Sequence, residues 1–495
     1  MRERALMASR LTQIVLGFAV GAQFALAIAV QSAPENPKFP RGEIVAKVAC
    51  SAEPSETYAL YLPSNFSPKR KWPIIFAFDP GARGQVAVEA FREAAEQYGY
   101  IVVGSNNSRN GPWVVSMEAI HALWIDAHAR FPLDEGRAYT AGFSGGARVA
   151  VSMAQGVSGK IAGVIACGAG FPLGEGQGPS KDTPFIFFAT IGIRDFNFRE
   201  LRELDQKLNG LGLTHRLLVF DGPHQWAPKK LAMDALEWLD LQAMKAGRLA
   251  KDPALIDSIH ARQSEEARRL KASGDLAGAF HREESAAMDF HGLREAADLE
   301  AEVAKMKDAK DVKQELKREA KREANIASLE TEYYKTFEQV MANIFAPGNG
   351  EYERRQAMRD LRLQELRNLE TKKKDTDQGI AAQRNLTGVM VHSLEDATEA
   401  MSRGDYLRAR VELEIAAACA PENSYILFQL ARAYTLSKDS PNALAALRHA
   451  VELGYSDLDQ LEKNPDLASL RGQPGYQEVV ESVRKKLNAP ANPRP

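Results

Sequence analysis

From about residue 43 to residue 247, short apolar runs alternate with amphipathic stretches. EIVAKVAC and ETYALYLP read as an opening hairpin. WPIIFAFD is a buried strand followed by a helix through VEAFREAAEQYG; YIVVGS is the next strand, and VSMEAIHALWIDAHARF the next amphipathic helix. RAYTAGF, IAGVIACG, PFIFFATIG and HRLLVFDG complete the strand set, and KKLAMDALEWLDLQAM closes the unit. Apolar runs of strand length, bounded by glycine and separated by helices, predict a mostly parallel α/β sheet with helices on both faces.

Beyond residue 250 the strand pattern stops. Residues 254 to 385 are rich in Ala, Glu, Lys, Arg and Leu, with Leu299, Val303, Met306, Leu316 and Ala320 at helical spacing. Such a stretch predicts solvated helices packed on a neighbour. IFAPGNGEY is its clearest break. A repeat then emerges, in which Ala409, Leu413 and Ala416 recur 34 residues later as Ala443, Leu447 and Ala450. Gly404, Tyr406 and Pro421 stand around the first set, and Leu430, Ala431 and Tyr434 around the second. The period, with small residues where two helices cross closely, resembles the tetratricopeptide repeat. A weaker match, with Gly274, Leu276, Ala279 and Ala286, lies in SGDLAGAFHREESAA, and the tail after residue 457 is expected to cap the stack.

The N-terminus has a third pattern. MRERALMASR carries three arginines, and LTQIVLGFAVGAQFALAIAV then runs twenty residues without a charge. That order predicts a secretory signal over residues 1–33, with small residues at Ala25 and Ala27, or at Ala27 and Ala29, as cleavage sites. The alternative is an uncleaved anchor, since the run is long enough nearly to span a bilayer. Either way the expected location is periplasmic or secreted. The expected organisation is this segment, a sheet domain over 40–248, a charged helical region over 252–386 and a repeat domain over 388–488. Residues 35 to 250 are expected to fold as a cooperative unit without the rest.

Composition changes this picture little. The 495 residues are 45% hydrophobic and 26% charged, with a net charge of −2, so no electrostatic partner such as nucleic acid is implied. Basic runs such as KREAKREA are interleaved with acids and read as a solvated helix face. Cys50, Cys167 and Cys419 have no metal-site spacing. In an oxidising compartment Cys50 and Cys167 are the only pair within one expected domain, and three buried free thiols are the alternative.

The chemistry centres on AYTAGFSGGARVA, residues 138 to 150. A lone Gly-x-Ser-x-Gly is weak evidence, since about 0.2 matches arise by chance in a chain this long. Here, however, a strand precedes Ser144 and a small-residue helix follows, which is the setting of a nucleophile elbow. Gly142 and Gly146 leave room for the tight crossing, and the helix N-terminus favours negative charge near the serine oxygen. A serine nucleophile needs a base and an orienting acid, supplied on such a sheet in the order Ser, Asp or Glu, His. FFATIGIRDFNF places Asp195 after a later strand, and LVFDGPHQWAP places His224 after the last one. His121 and His128 lie on an expected helix and His215 begins a strand, so His224 is the loop histidine at the right edge. Gly145 is expected to give one oxyanion-hole N–H, and the loop PGARGQ the other, Ala82 ahead of Arg83. The loop SNNSRNGPW offers Asn106, Asn107 and Trp113 as substrate contacts.

Residues 43 to 247 resemble the α/β-hydrolases, and among them the esterases that include feruloyl esterases and polyhydroxybutyrate depolymerases. FPLDEGRAYTAGFSGGARVA resembles the segment around their nucleophile, and GPHQW their histidine loop, with Trp226 two residues on as a further substrate contact. The resemblance implies Ser144 as nucleophile, His224 as base and Asp195 as its orienting carboxylate, with no metal or organic cofactor. One departure stands out: many relatives begin the oxyanion loop with His-Gly, whereas this chain reads Asp79-Pro80-Gly81.

The expected function is an exported serine hydrolase that cleaves carboxylic esters through an acyl-enzyme. Two alternatives stay open: a serine peptidase on the same fold, and a non-catalytic scaffold acting through its helical repeats. The short, glycine-rich AGFPLGEGQGPSKDT, where many α/β-hydrolases insert a helical lid, predicts an open groove for a small-molecule or polymer-linked ester. The C-terminal helices are the other element able to wall that groove or bind a protein partner beside it.

Overall fold

A computed structural model describes residues 39–295 and 297–488. The export signal and its alternative, a membrane anchor, fall outside the described residues. Among those described, no helix is long and apolar enough to cross a membrane.

The first half is an α/β unit built on one mostly parallel sheet. In chain order it contains β1 (Ile44–Ala49), β2 (Thr57–Tyr61), β3 (Trp72–Phe78), α1 (Gly84–Tyr98), β4 (Ile101–Ser105), α2 (Trp113–Arg130) and β5 (Leu133–Phe143). Next come α3 (Gly145–Gly156), β6 (Gly163–Cys167), β7 (Ile186–Gly192), α4 (Phe198–Leu211), β8 (His215–Phe220) and α5 (Lys229–Lys245). The eight strands lie in the order β1-β2-β4-β3-β5-β6-β7-β8. The hairpin β1–β2 is antiparallel and β2 meets β4 antiparallel; from β4 onward every pair is parallel.

Helices on both faces leave the central strands no solvent side, so they read as continuous apolar runs. All seven residues of β3 are buried, as are all five of β4 and of β6. In register, Ile75 lies between Val102 of β4 and Tyr139 of β5, which puts the core beneath the sheet's centre. Parallel register also brings the C-terminal ends of β3, β5, β6, β7 and β8 to one edge, and the loops from that edge build the site.

The second half is helical. It runs through α6 (Pro253–Ala272), α7 (Leu276–Phe290), α8 (Ala297–Asp308), the long α9 (Lys310–Ile344), α10 (Glu351–Asp360), α11 (Leu363–Lys372) and α12 (Asp377–Ser402). Then follow α13 (Tyr406–Cys419), α14 (Ser424–Leu436), α15 (Ser440–Glu452), α16 (Leu458–Lys463) and, after a 3₁₀ turn, α17 (Pro474–Asn488). Side-chain caps set many of the starts: Asp252, Asp275, Thr376, Asp405, Asn423 and Asp439 each accept a first-turn N–H. Each such cap contributes about 1 kcal/mol. Ala409 and Leu413 are buried with Ala397 and Ala400 of α12, and Ala443, Leu447 and Ala450 with Phe428 and Tyr476.

The described residues from Pro40 onward form one compact body rather than two halves joined by a tether. Leu241 and Met244 of α5 share a buried cluster with Ile256 and Ile259 of α6 and Ala286 and Phe290 of α7. Arg216 of β8 and Asp289 of α7, both buried, pair at 2.6 Å across the same seam. Cys50, Cys167 and Cys419 are buried free thiols, and burial pushes Cys50 up to about 12 and Cys167 up to about 11.

Candidate active site

The Gly-Phe-Ser-Gly-Gly stretch turns the chain from β5 into α3, and Ser144 takes the backbone cost at φ 53°, ψ −124°. A non-glycine residue in that region stores of the order of 1–3 kcal/mol and persists only where its surroundings over-determine it. The surroundings do. Ser144 N–H donates to Cys167 O at 2.8 Å, tying the turn to β6. A Cβ on Gly142 would stand 2.0 Å from Gly146 O, and one on Gly146 2.1 Å from Phe78 O of β3. Both glycines are therefore demanded by close backbone approach, and the turn is held over the end of β3.

Asp195 and His224 come from the two neighbouring strand ends. Gly192 is in register with Phe220, and the loops beyond are laced together by Ile193 N–H to Phe220 O at 2.9 Å and Arg194 N–H to Gly222 O at 3.0 Å. His224 Nδ1 lies 2.8 Å from Asp195 Oδ2, with side chains 11% and 1% exposed. Asp195 Oδ1 accepts Asn197 N–H at 2.9 Å. The pair leaves Nε2 of His224 facing away from the carboxylate. Phe143, next to Ser144, and Phe196, next to Asp195, flank the imidazole with ring centroids 4.5 Å away on each side. An acidic alternative, Asp221, is highly exposed and pairs with Arg194 instead.

The loop after β3, expected to carry an oxyanion donor, is organised by Asp79, the residue that departs from the expected His-Gly. Asp79 is fully buried and accepts from Gly81 N–H at 2.9 Å, Arg83 Nε and Nη2 at 2.7 and 3.0 Å, and Trp226 Nε1 at 2.8 Å. Four donors offset the cost of burying its carboxylate. Trp226 thus reaches under the loop and packs on Phe143 and Phe91, so its indole N–H is spent on the scaffold. Ala82 adopts a left-handed φ of 58°, and its N–H donates to Asp79 O at 3.1 Å. Gly145 opens α3, so its N–H is one of the first-turn donors that a helix leaves unpaired.

The substrate-contact asparagines fall on different work. Asn106 Nδ2 donates to Ala46 O at 3.1 Å, while Asn107 accepts Thr57 N–H at 2.9 Å and donates to Ser55 O at 3.1 Å. Both amides fasten the β1–β2 hairpin. Another asparagine of the same loop, Asn110, stands beside Ser144: a Cβ on Gly145 would meet its Oδ1 at 1.9 Å. Trp113 is exposed at the start of α2, three residues on.

Further residues carry no local sequence signal. Arg148 of α3 makes a two-pronged bond to Glu200 of α4, at 3.0 and 2.7 Å, bracing the helix after Ser144 against the helix after Asp195. Asn110 Nδ2 lies 3.3 Å from Glu395 Oε1 of α12, and Arg384 of α12 donates from Nε to Ile193 O at 2.9 Å. Among the described residues no cluster of His, Cys, Asp and Glu could hold a metal ion.

No family model and no curated protein matches the sequence. Among solved structures the chain is similar to a ferulic acid esterase at 17% identity, over 40% of this chain and 95% of that one, with a TM-score of 0.32. It is similar to an S-formylglutathione hydrolase from Staphylococcus aureus at 14% identity, over 41% and 99%, with a TM-score of 0.33. It is also similar to Thermogutta terrifontis esterase 2, at 16% identity, over 45% and 100%, with a TM-score of 0.31.

Proposed function

We propose that this protein is a serine hydrolase of carboxylic esters acting through an acyl-enzyme. The observation that carries the reading is a strained Ser144 turn and a His224–Asp195 hydrogen bond of 2.8 Å, all on loops from the C-terminal edge of one mostly parallel sheet. Ser144 Oγ attacks the ester carbonyl while Nε2 of His224 takes its proton. Asp195 holds the Nδ1–H tautomer and stabilises the imidazolium that forms. The tetrahedral oxyanion is met by Gly145 N–H and a second N–H from the β3 loop. Because Ala82 N–H is already directed at Asp79 O, Arg83 N–H is the better second donor. Collapse expels the alcohol, which leaves with the proton from His224. Water then attacks the acyl-enzyme, His224 takes its proton, and the acid departs as Ser144 is restored.

The connection between β6 and β7, residues 168–185, contains no helix, which supports access for water-soluble short-chain or aromatic esters without an interfacial lid. The charged start and apolar run of the N-terminal segment support export, with cleavage or as an anchor.

A fluorophosphonate probe with an ester panel tests the reading. The native protein is expected to label and turn over soluble esters, and Ser144→Ala to do neither. Asp195→Asn should lose roughly 10²–10⁴-fold in kcat, while Asp221→Asn stays within about twofold of native. An unlabelled native protein, or a rate that followed Asp221 rather than Asp195, would count against it.

A further inference from the structure

The helical half reaches into the site through one helix. Arg384 is a cation 2% exposed, 191 residues away from the loop residue it touches. Its Nε–H donates to Ile193 O at 2.9 Å, two residues before Asp195. Its guanidinium lies over the ring of Phe198, 4.0 Å from the centroid, three residues after Asp195. Its Nη1 donates to Glu323 at 3.1 Å and Glu330 at 3.3 Å, both on α9. One turn on, α12 passes so close that a Cβ on Gly388 would stand 3.5 Å from Phe196 Cβ and 2.8 Å from Tyr334 Oη. Phe196 is the ring that flanks His224. Two turns further, roughly 10 Å along the axis, Glu395 meets Asn110 beside Gly145. Helix α12 thus touches the acid loop at one end and the nucleophile's neighbour at the other.

A buried arginine is costly unless it is fully paired. The Arg216–Asp289 pair already fastens the two halves at the opposite, N-terminal edge of the sheet. Arg384 instead gives its Nε–H to the backbone two residues before Asp195, while Nη1 is held by two carboxylates of α9. Its planar fork suits this: Nε–H and Nη1–H point to different partners while the plane stacks on a ring, which lysine cannot reproduce.

We infer that Arg384 is a positioning residue for the hydrolytic site: it pins the 193–198 loop, and through it the Asp195–His224 geometry, so the helical half is part of the catalytic apparatus. This rests on the hydrolase reading above. Asp195 is the charged side chain bonded to His224 among the described residues, with the Arg194–Asp221 pair on the two adjoining loops. A looser Asp195 orients the imidazole less well for proton transfer, so the loss falls on kcat rather than on KM.

The test uses the full chain with Arg384→Lys, Glu330→Gln and, as the seam control, Arg216→Lys. For Arg384→Lys, kcat on a soluble ester is expected to fall about 10- to 100-fold with KM within about threefold, since small misplacements cost that much. The acidic limb of the kcat/KM profile should shift along with kcat, which a loss of folding stability alone would not produce. Glu330→Gln should move both readings the same way by less. Arg216→Lys should lower the melting temperature and leave the limb in place. If Arg384→Lys and Glu330→Gln keep native kcat and limb, the inference fails alone. It also fails if Arg384→Lys and Arg216→Lys lose activity only in step with melting temperature. A native protein with no turnover overturns the hydrolase reading and this inference with it.

Discussion

Asp240 of α5 shows how a single side chain couples burial to pH. It is held against Tyr100, whose hydroxyl donates to it at 2.6 Å, with Arg137 3.8 Å away. Burial outweighs both and pushes its carboxyl from 3.8 up to about 6. A folded carboxyl that binds its proton more tightly than the unfolded one is destabilising once ionised. That penalty is absent below about pH 4 and complete above about pH 6, the window set by the two values. Asp240→Asn keeps an acceptor for Tyr100 and removes the charge, and Arg137 retains Asp134 at 2.8 Å. The variant is therefore expected to be more stable than native at pH 8, by up to about 3 kcal/mol, and to lose that advantage by about pH 3.5. Urea unfolding at the two pH values checks it; destabilisation at pH 8 alone would mean the carboxylate is needed as a charge.

At the scale of elements, the site depends on how closely α3 can start beneath β5 and β3. A methyl at position 146 would press on Phe78 O and Phe78 C, at 2.1 and 2.6 Å. Strand β3 is buried throughout and hydrogen-bonded on both sides, so it has nowhere to move. Gly146→Ala is expected to cost about 3 kcal/mol or more, in the range of severe core overpacking. Gly156, at the other end of the same helix, has open space around it. Gly156→Ala should be neutral or gain up to about 1 kcal/mol from helix propensity and reduced unfolded-state freedom. Chemical denaturation of the two variants separates the effects; similar costs would show that the turn, and not the crossing, sets the demand for glycine.

Across the whole molecule, the sheet is complete by residue 220, yet its surface is finished by helices from beyond residue 250. A chain ending at 250 would keep every strand. It would also expose Leu241 and Met244, buried in the full chain against α6 and α7, at about 2 kcal/mol each. It would lose Arg384 as well. The 40–250 fragment is expected to melt cooperatively but at a clearly lower temperature than the full chain, with kcat reduced at least as much as in Arg384→Lys. Calorimetry and ester kinetics on the fragment check this, and a fragment as stable and active as the full chain would show that the seam is incidental.

What the sequence determined is what local pattern can carry. Strand-length apolar runs and helical spacing announce the α/β sheet and the helical half, because burial on two faces leaves a periodic trace in composition. The strand–serine–helix turn and the order of Asp195 and His224 on later strand ends are legible for the same reason: each is a statement about neighbours in the chain. Tertiary structure decided the rest. In SNNSRNGPW three asparagines are equivalent on paper, and only packing directs Asn106 and Asn107 to the hairpin and Asn110 to Gly145. Ala82 N–H is an apt donor until the turn directs it to Asp79 O. Arg384 looks like one more charge on a solvated helix, and its contact with Ile193 spans 191 positions. A pairing between segments so far apart leaves no period to read; it exists only once the chain has closed around a shared core.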